Sequence, residues 1–398
     1  MGALSEAERA VDSAILRGGS CVLEVRGGER EVIGSGPPLF AVSFASERAR
    51  RKALAGDLYS AAMAYVRGGI DVTGDIFAAI RFFSARPSHG LLPAFRKLLV
   101  WAAPWTLESF WQTRSRAVQN IQRHYDRSND FYGQMLDPGM TYSCAYFKDP
   151  SWDITQAQQA KLAHILRKLD LRPGERFLDI GCGWGSLVEL AARWGALASG
   201  CTLSTAQHDF ARRRLAEFDG RAIIVEEDYR NLSGQWDKIA SIGMFEHVGH
   251  RRLPGYFRKI HSLLTPDGLF LNHGLVRPQT VRSSVESLFL RRMVFPGTEL
   301  PHLGELIRAS EDAGFEVLDV ENLRPHYALT CRAWVDRLTQ NAEACIRFAG
   351  RETHRIWTLY LAGCAFQFEA GNMDVYQTLL AKRSTLYPRR MSRDYIYG

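Results

Sequence analysis

Apolar positions recur along this chain with two different spacings, and the change from one to the other marks its parts. Short apolar blocks at Cys21 to Val25 and Glu31 to Ile33, around Gly27-Gly28, and an alternating one at Phe40 to Phe44, predict three strands. Asp57 to Val66 has helical spacing and stops at Gly68-Gly69. Ile70-Asp71-Val72 is short and extended, and Asp75 is placed to cap a helix from Ile76 to Phe83. Residues 1–85 thus read as a unit of their own, and 86–117 as a linker carrying Pro87, Pro93 and Pro104. Helical spacing returns from Val118 to Leu136, ends at the turn Asp137-Pro138-Gly139, and resumes from Ile154 to Leu169. Met140 to Phe147, between these helices, is an uncharged loop with three aromatic rings. From Phe177 onward strand and helix signals alternate. Strands are expected at Phe177 to Ile180, Ala198 to Leu203, Ala222 to Val225, Lys238 to Met244, Leu269 to Asn272 and Phe315 to Val320. Helices are expected at Ala206 to Phe218 and at Tyr256 to Leu264, the latter closed by Pro266-Asp267-Gly268. This rhythm predicts a mostly parallel, doubly wound α/β sheet with helices on both faces. The helices and loop that precede its first strand are placed to form a lid.

Length and charge narrow the picture. A chain of 398 residues allows two or three domains and a sizeable core. A net charge of +7 favours an anionic partner: nucleic acid, phosphate or a membrane surface. No run of about 18 apolar residues is present, so no membrane span is expected. The first residues lack a basic stretch followed by an apolar one, so no signal peptide is expected either. Seven cysteines without a CxxC pair argue against a disulfide framework and a structural zinc, and for a reducing compartment.

The candidate chemistry starts at Arg176 to Gly185, Arg-Phe-Leu-Asp-Ile-Gly-Cys-Gly-Trp-Gly. A buried strand runs into Gly181, Gly183 and Gly185, and a helical pattern follows. Strand, glycine turn and helix is how an open sheet meets a nucleoside ligand, beyond the carboxyl end of the strand. The third glycine comes too early for the dinucleotide pattern, and no acid stands about 20 residues on, where an NAD ribose would need one. Asp179 instead precedes the glycines, which suits an S-adenosylmethionine (SAM) pocket. Two polar groups fall just past expected strand ends, Glu246 after the fourth and His273 after the fifth, where functional groups of such sheets sit. Singly, each also reads as a structural carboxylate or a satisfied histidine.

Four stretches together resemble a known family. Tyr142-Ser-Cys-Ala-Tyr-Phe147, Leu178-Asp-Ile-Gly-Cys-Gly-Trp-Gly185, Gly243-Met-Phe-Glu-His-Val-Gly249 and Arg324-Pro-His-Tyr-Ala328 are similar to the cyclopropane-fatty-acyl-phospholipid synthases and their mycolic-acid relatives. The resemblance covers roughly Ser115 to Lys382. It implies a class I SAM-dependent methyltransferase domain, Rossmann-like, with a helical lid at 118–398. Separately, Ala64 to Asp75 resembles the end of sterol-carrier-type domains, which would make residues 1–85 a small α+β lipid-binding domain; an accessory domain without a ligand is the alternative.

By resemblance, Tyr142 and Ser143 lie over SAM, and Asp179, Gly181, Gly183 and Gly185 hold its methionine part. Thr202, Leu203, Ser204 and Gln207 meet the ribose, and Asp228, Tyr229 and Arg230 line the adenine end. The family also binds bicarbonate as the base, through positions that map onto Cys144, Glu246, His273, the backbone near Leu275, and Tyr327. Glu246 would accept the ion's own hydrogen, while His273 and Tyr327 donate. The implied reaction moves the SAM methyl onto a double bond of an unsaturated acyl chain in a membrane phospholipid; a carbocation then loses a proton and a ring closes. Such a cation needs a dry pocket and a nearby base. Cys144 and Cys364 also map to positions counted as catalytic. A carbocation route has no covalent enzyme intermediate, so neither is expected to be a nucleophile, and packing is their other reading. His124 and Asp126 would orient the lid.

The segment Arg277 to Phe295 is shorter than in the mycolic-acid branch, which disfavours a carrier-bound substrate. Arg291 and Arg292 among apolar neighbours suit a phospholipid surface or a solvated helix face. Basic and apolar Phe95 to Trp101 suits a membrane interface or a helix between domains. The tail with Arg383, Arg389, Arg390 and Arg393 would touch anionic lipid or be disordered. The expected setting is cytoplasmic, peripheral on the inner face of the membrane, with a homodimer left open. A methylene or methyl-branched product is the nearest rival. A nucleic-acid methyltransferase is disfavoured for want of a basic module with stacking aromatics, and a silent lipid-binding protein is disfavoured by the intact Glu246, His273 and Tyr327 set.

Overall fold

The computed structural model describes residues 16, 18–55, 57–85, 129–281, 293–294, 300–383 and 390–397. Phe95 to Trp101, His124-Tyr125-Asp126, Arg291, Arg292 and Arg389 lie outside the described residues. The chain divides into two compact units, with Cys345–Phe366 joining the N-terminal one.

The first unit carries the four strands β1 (Ser20–Val25), β2 (Arg30–Gly34), β3 (Pro38–Phe44) and β4 (Ile70–Gly74), in the order β2-β1-β3-β4. β1 runs parallel to β3, and the other pairings are antiparallel. Phe40, Val42 and Phe44 are buried at alternate positions of β3, so one face of the sheet is covered. Helices α1 (Glu47–Leu54) and α2 (Leu58–Val66) precede β4, and α3 (Ile76–Ser84) follows it. Asp75 caps α3 as expected, accepting from the amides of Phe77 at 2.8 Å and Ala78 at 3.0 Å. α1 was not expected: it buries only Ala53, and its sequence Glu-Arg-Ala-Arg-Arg-Lys gives no apolar period to read. Arg355, from the C-terminal segment of this unit, donates to the carbonyl of Tyr65 at 2.6 Å and pairs with Asp71.

The second unit opens with α4 (Asn129–Met135) and α5 (Ile154–Lys168). Its sheet comprises β5 (Arg176–Ile180), β6 (Leu197–Thr202), β7 (Ala222–Glu226), β8 (Trp236–Ile242), β9 (Leu264–Val276), β10 (Phe315–Asn322) and β11 (Asp374–Lys382). The strand order is β10-β11-β9-β8-β5-β6-β7, and β11 is antiparallel to both neighbours. β5 is central and buried on both faces, as a parallel strand with a continuous apolar run should be. Phe177 enters one core with Leu166, Leu187 and Val188; Leu178 and Ile180 enter the other with Ile239, Phe257 and Phe270. Helices α6 (Ser186–Arg193), α7 (Thr205–Arg214), α8 (Leu253–Leu263), α9 (Leu303–Asp312) and α10 (Arg324–Gln340) complete most of the layers. α11 (Ala342–Glu369), of which Cys345–Phe366 belongs to the first unit, is kinked at Gly350, where φ is 83°. The turn α12 (Asp394–Tyr397) lies at the C-terminus.

Several expectations change. Pro266-Asp267-Gly268 lies inside the extended segment of β9 rather than forming a turn, so His273 sits within that strand and not past its end. β8 stops at Ile242, because Gly243 has a φ of 66° and a 3-10 turn follows at Phe245–His247. The expected helix Ala206 to Phe218 divides into α7 and a 3-10 turn at Ala216–Phe218. The described part of the tail is folded onto the unit: Arg390 pairs with Asp170 at 2.8 Å, Arg393 with Asp319 at 2.9 Å, and Ile396 is buried.

Candidate active site

A cavity opens where β5, β6 and β8 end, and the loop 140–143 borders it. Gly181 and Gly183 have φ of 79° and 54°, a backbone only glycine adopts without strain. A Cβ on Gly183 would meet no protein atom within 4 Å, so the space above it is open to a ligand. Gly185 does not line the cavity. Its φ is 86°, and a Cβ there would come within 3.0 Å of Ala211, so this glycine serves close helix packing instead.

The loop is held from two sides. From α5, Gln158 donates to the carbonyls of Thr141 at 3.2 Å and Ser143 at 2.8 Å, and Lys161 donates to Ser143 Oγ at 3.0 Å. From α10, Thr330 accepts from the amide of Ala145 at 3.0 Å, and His326 from that of Phe147 at 3.1 Å. α5 can present such groups because the capping box of Asp153 with Gln156 fixes where the helix starts. Tyr142 packs against Tyr132 and Trp334, which gives the loop an aromatic backing.

Tyr142, Ser143, Asp179, Thr202, Leu203, Gln207, Asp228, Tyr229 and Arg230 all line the cavity, as the resemblance implies. Ser204 does not: it is fully buried and caps α7, accepting from the amide of Gln207 at 3.3 Å. Thr202 donates to Gln207 Oε1 at 2.8 Å, which leaves the Gln207 amide hydrogens for a ligand. Asp228 is occupied by Arg230, whose Nε lies 2.8 Å from Oδ1. Burial raises the Asp179 carboxyl to about 7, against the pull of Lys161, and its Oδ1 has no partner among the described residues. Lys161 is buried as well and pushed down to about 8, with Asp137 and Asp179 opposing the shift. A buried ammonium and an unpartnered buried carboxylate oxygen suit the zwitterionic methionine end of SAM. Lys161, His247 and Arg252 also line the cavity and were not expected there, and Trp184 of the glycine loop lines it too. Gln158 and Lys161 had one signal in the sequence: they share the apolar face of α5 with Ala157, Leu162 and Ile165.

A second cluster adjoins the cavity through the chain itself. Ser143 lines the cavity, and the next residue, Cys144, packs with Leu323, Val375, Leu275 and Tyr327. Gly243 and Met244 line it too, and Glu246 follows two residues later, buried. Glu246 Oε1 accepts the amide of Leu275 at 2.8 Å, and its Oε2 has no partner among the described residues. This contact requires Gly274, where a Cβ would fall 2.3 Å from Phe245 and 2.8 Å from Glu246 Oε1. The Leu275 amide is therefore committed to Glu246 and is not a free donor for an ion, which corrects the expectation at Leu275. Burial raises Glu246 to about 7. His273 is buried and held at about 3 by desolvation, with Lys161 and Lys168 adding to the effect, so its ring is neutral. Its Nδ1 faces Gln377 Nε2 at 3.2 Å, and its Nε2 has no partner among the described residues. Tyr327 begins the second turn of α10 and stacks on Phe368 with ring centres 4.6 Å apart.

The cysteines behave as packing groups. The Cys144 thiol contacts the carbonyl of Ala145 at 3.3 Å, and burial raises it far above the ordinary thiol value. Cys364 belongs to the first unit, and burial pushes it up to about 12, with Tyr360 offsetting part of the shift. Thiols so raised are not thiolate nucleophiles at neutral pH. Among the described residues no group of His, Cys, Asp or Glu could hold a metal ion.

The family model described as mycolic acid cyclopropane synthetase matches residues 112–378. A probable fatty acid methyltransferase of Pseudomonas putida is 43% identical over 274 residues, spanning 67% of this chain and 69% of its own. The cyclopropane-fatty-acyl-phospholipid synthase of Escherichia coli (strain K12) is 37% identical over 273 residues, 68% of this chain and 70% of its own. A solved mycolic acid cyclopropane synthase, in complex with SAH and CTAB, superposes with a TM-score of 0.63 at 33% identity, covering 67% of this chain and 98% of that one. By the family model over residues 112–378 and by these relatives, the chain belongs to the mycolic acid cyclopropane synthetase family of SAM-dependent methyltransferases.

Proposed function

We propose that this enzyme methylates the double bond of an unsaturated acyl chain in a membrane phospholipid and closes a cyclopropane ring, with bicarbonate held beside the cavity as the base. SAM, when bound at the glycine loop, supplies the methyl group. Bicarbonate, when bound at the Glu246 cluster, supplies the base for the proton lost on ring closure.

One observation carries the ion assignment: two buried polar atoms on residues that the resemblance assigns to the ion, Glu246 Oε2 and His273 Nε2, lack partners among the described residues. A buried unsatisfied polar atom costs about 1–3 kcal/mol, so each supports a bound group that satisfies it. One is an acceptor and the other, on a neutral ring, can donate. Bicarbonate offers one hydrogen and several acceptor oxygens, which matches that pair. Glu246 takes the ion's hydrogen, His273 donates to an oxygen, and Tyr327 is the third candidate donor. The apolar surroundings, with Cys144, Leu323 and Val375 fully buried, exclude the water that would trap a carbocation.

Phospholipid as substrate is supported by the name of the Escherichia coli relative. The reading places the enzyme in the cytoplasm at the inner membrane face, with the N-terminal unit handling lipid. A second reading is methylation without ring closure; the printed name of the Pseudomonas putida relative, a probable fatty acid methyltransferase, gives the methylation and no ring.

The test assays purified enzyme with SAM and unsaturated phospholipid vesicles in decarbonated buffer, then restores bicarbonate. The rate should fall and recover, and Tyr327→Phe should need more bicarbonate. Full activity without bicarbonate would mean a protein side chain is the base.

A further inference from the structure

Gln377 lies on β11, the antiparallel strand inserted between β9 and β10, and is the direct cross-strand partner of His273. Both side chains are buried, Gln377 at 0% and His273 at 1% exposure, so water does not compete for their contact. Gln377 Nε2 stands 3.2 Å from His273 Nδ1. An amide nitrogen has only hydrogens to offer, so the ring nitrogen facing it must be bare. A neutral imidazole carries one hydrogen, which then resides on Nε2.

We propose that Gln377 is a positioning residue that fixes the tautomer of His273, its amide donating to Nδ1 so that the ring carries its hydrogen on Nε2 and offers a donor to the bound anion. This rests on the assignment of His273 to the ion site made above. Its consequence for the reaction is definite. With a hydrogen already on Nε2, His273 holds the ion and does not itself take the substrate's proton. The reversed amide would make the opposite enzyme: Gln377 Oε1 would accept from Nδ1–H, and Nε2 would be bare and able to act as a base.

Nitrogen NMR of the full chain labelled with 15N-histidine reads the tautomer directly. The His273 signals are identified by their loss in His273→Asn. The parent should show a hydrogen-bearing Nε2 and a bare Nδ1. Gln377→Leu should give a mixture of tautomers, with turnover down roughly tenfold, the usual effect of removing one partner of a buried group, and SAM affinity unchanged. Gln377→Glu, whose carboxylate can only accept, should move the hydrogen to Nδ1. A parent ring with its hydrogen on Nδ1 would overturn the proposal, and that spectrum needs no variant at Gln377 to fold. A parent ring protonated on Nε2 in an enzyme indifferent to bicarbonate would uphold the tautomer and remove the ion reading. The reverse pair of results would remove the tautomer and uphold the ion.

Discussion

Glu246 is expected to act on stability and on reactivity in opposite directions. An unfolded chain releases its proton near 4.5, and the folded protein releases it near 7 because burial disfavours the charge. Between these values the folded state keeps a proton that the unfolded state has lost. Stability therefore falls as pH rises through that window, and the loss is complete above it. Glu246→Gln keeps an acceptor for the Leu275 amide and removes the charge. Its melting temperature relative to the parent should rise on going from about pH 5 to about pH 8, while turnover falls roughly tenfold or more and SAM affinity stays near normal. A melting difference that is the same at both pH values would show that the carboxyl is not held in a desolvated site. Asp179, raised to about 7 by the same cause, should contribute to the same window.

At the scale of the element, the strand–glycine loop–helix of β5 and α6 makes the cofactor end, and its prediction is local. Gly183→Val puts a side chain into space that no protein atom occupies. It costs about 1–2 kcal/mol of backbone strain at a positive φ, so the variant should fold with a lowered melting temperature. Titration calorimetry should find SAM binding lost or greatly weakened; parent-like affinity would misplace the methionine pocket. This element was legible in the sequence because an apolar run, three glycines and a helical period coincide within a few residues. β11 was not legible. Its buried Gln377 and Thr378 interrupt the apolar pattern, and it is inserted between strands that precede it in the chain, which no local signal conveys. α1 was hidden for a related reason, since a helix that buries only Ala53 has no apolar stripe. Among the expected site residues, Gly185 and Ser204 serve packing and capping and the Leu275 amide is taken by Glu246, which the motifs did not convey. Lys161 and Gln158 could be read only as polar interruptions of a buried helix face, and Gln377 depended on a cross-strand pairing that sequence spacing does not report.

For the whole molecule, the excess of seven positive charges bears on where the enzyme works. Association with anionic phospholipid vesicles should weaken as salt rises, because screening shortens to about 8 Å at physiological ionic strength. A sedimentation assay across lipid charge and salt checks this, and binding indifferent to both would leave apolar contact as the sole attraction. No helix among the described residues is long and apolar enough to cross a membrane. The account as a whole stands on the product. Purified enzyme, SAM and vesicles of a phospholipid with one double bond per acyl chain should yield a lipid heavier by one CH2 per chain. Its proton NMR spectrum should lose the alkene signals and gain upfield ring-methylene signals. The same mass gain with an alkene signal retained and no ring signal, the new carbon standing as a methylene or as a methyl branch on the alkene, would contradict ring closure and make this enzyme a methylene- or branch-forming methyltransferase.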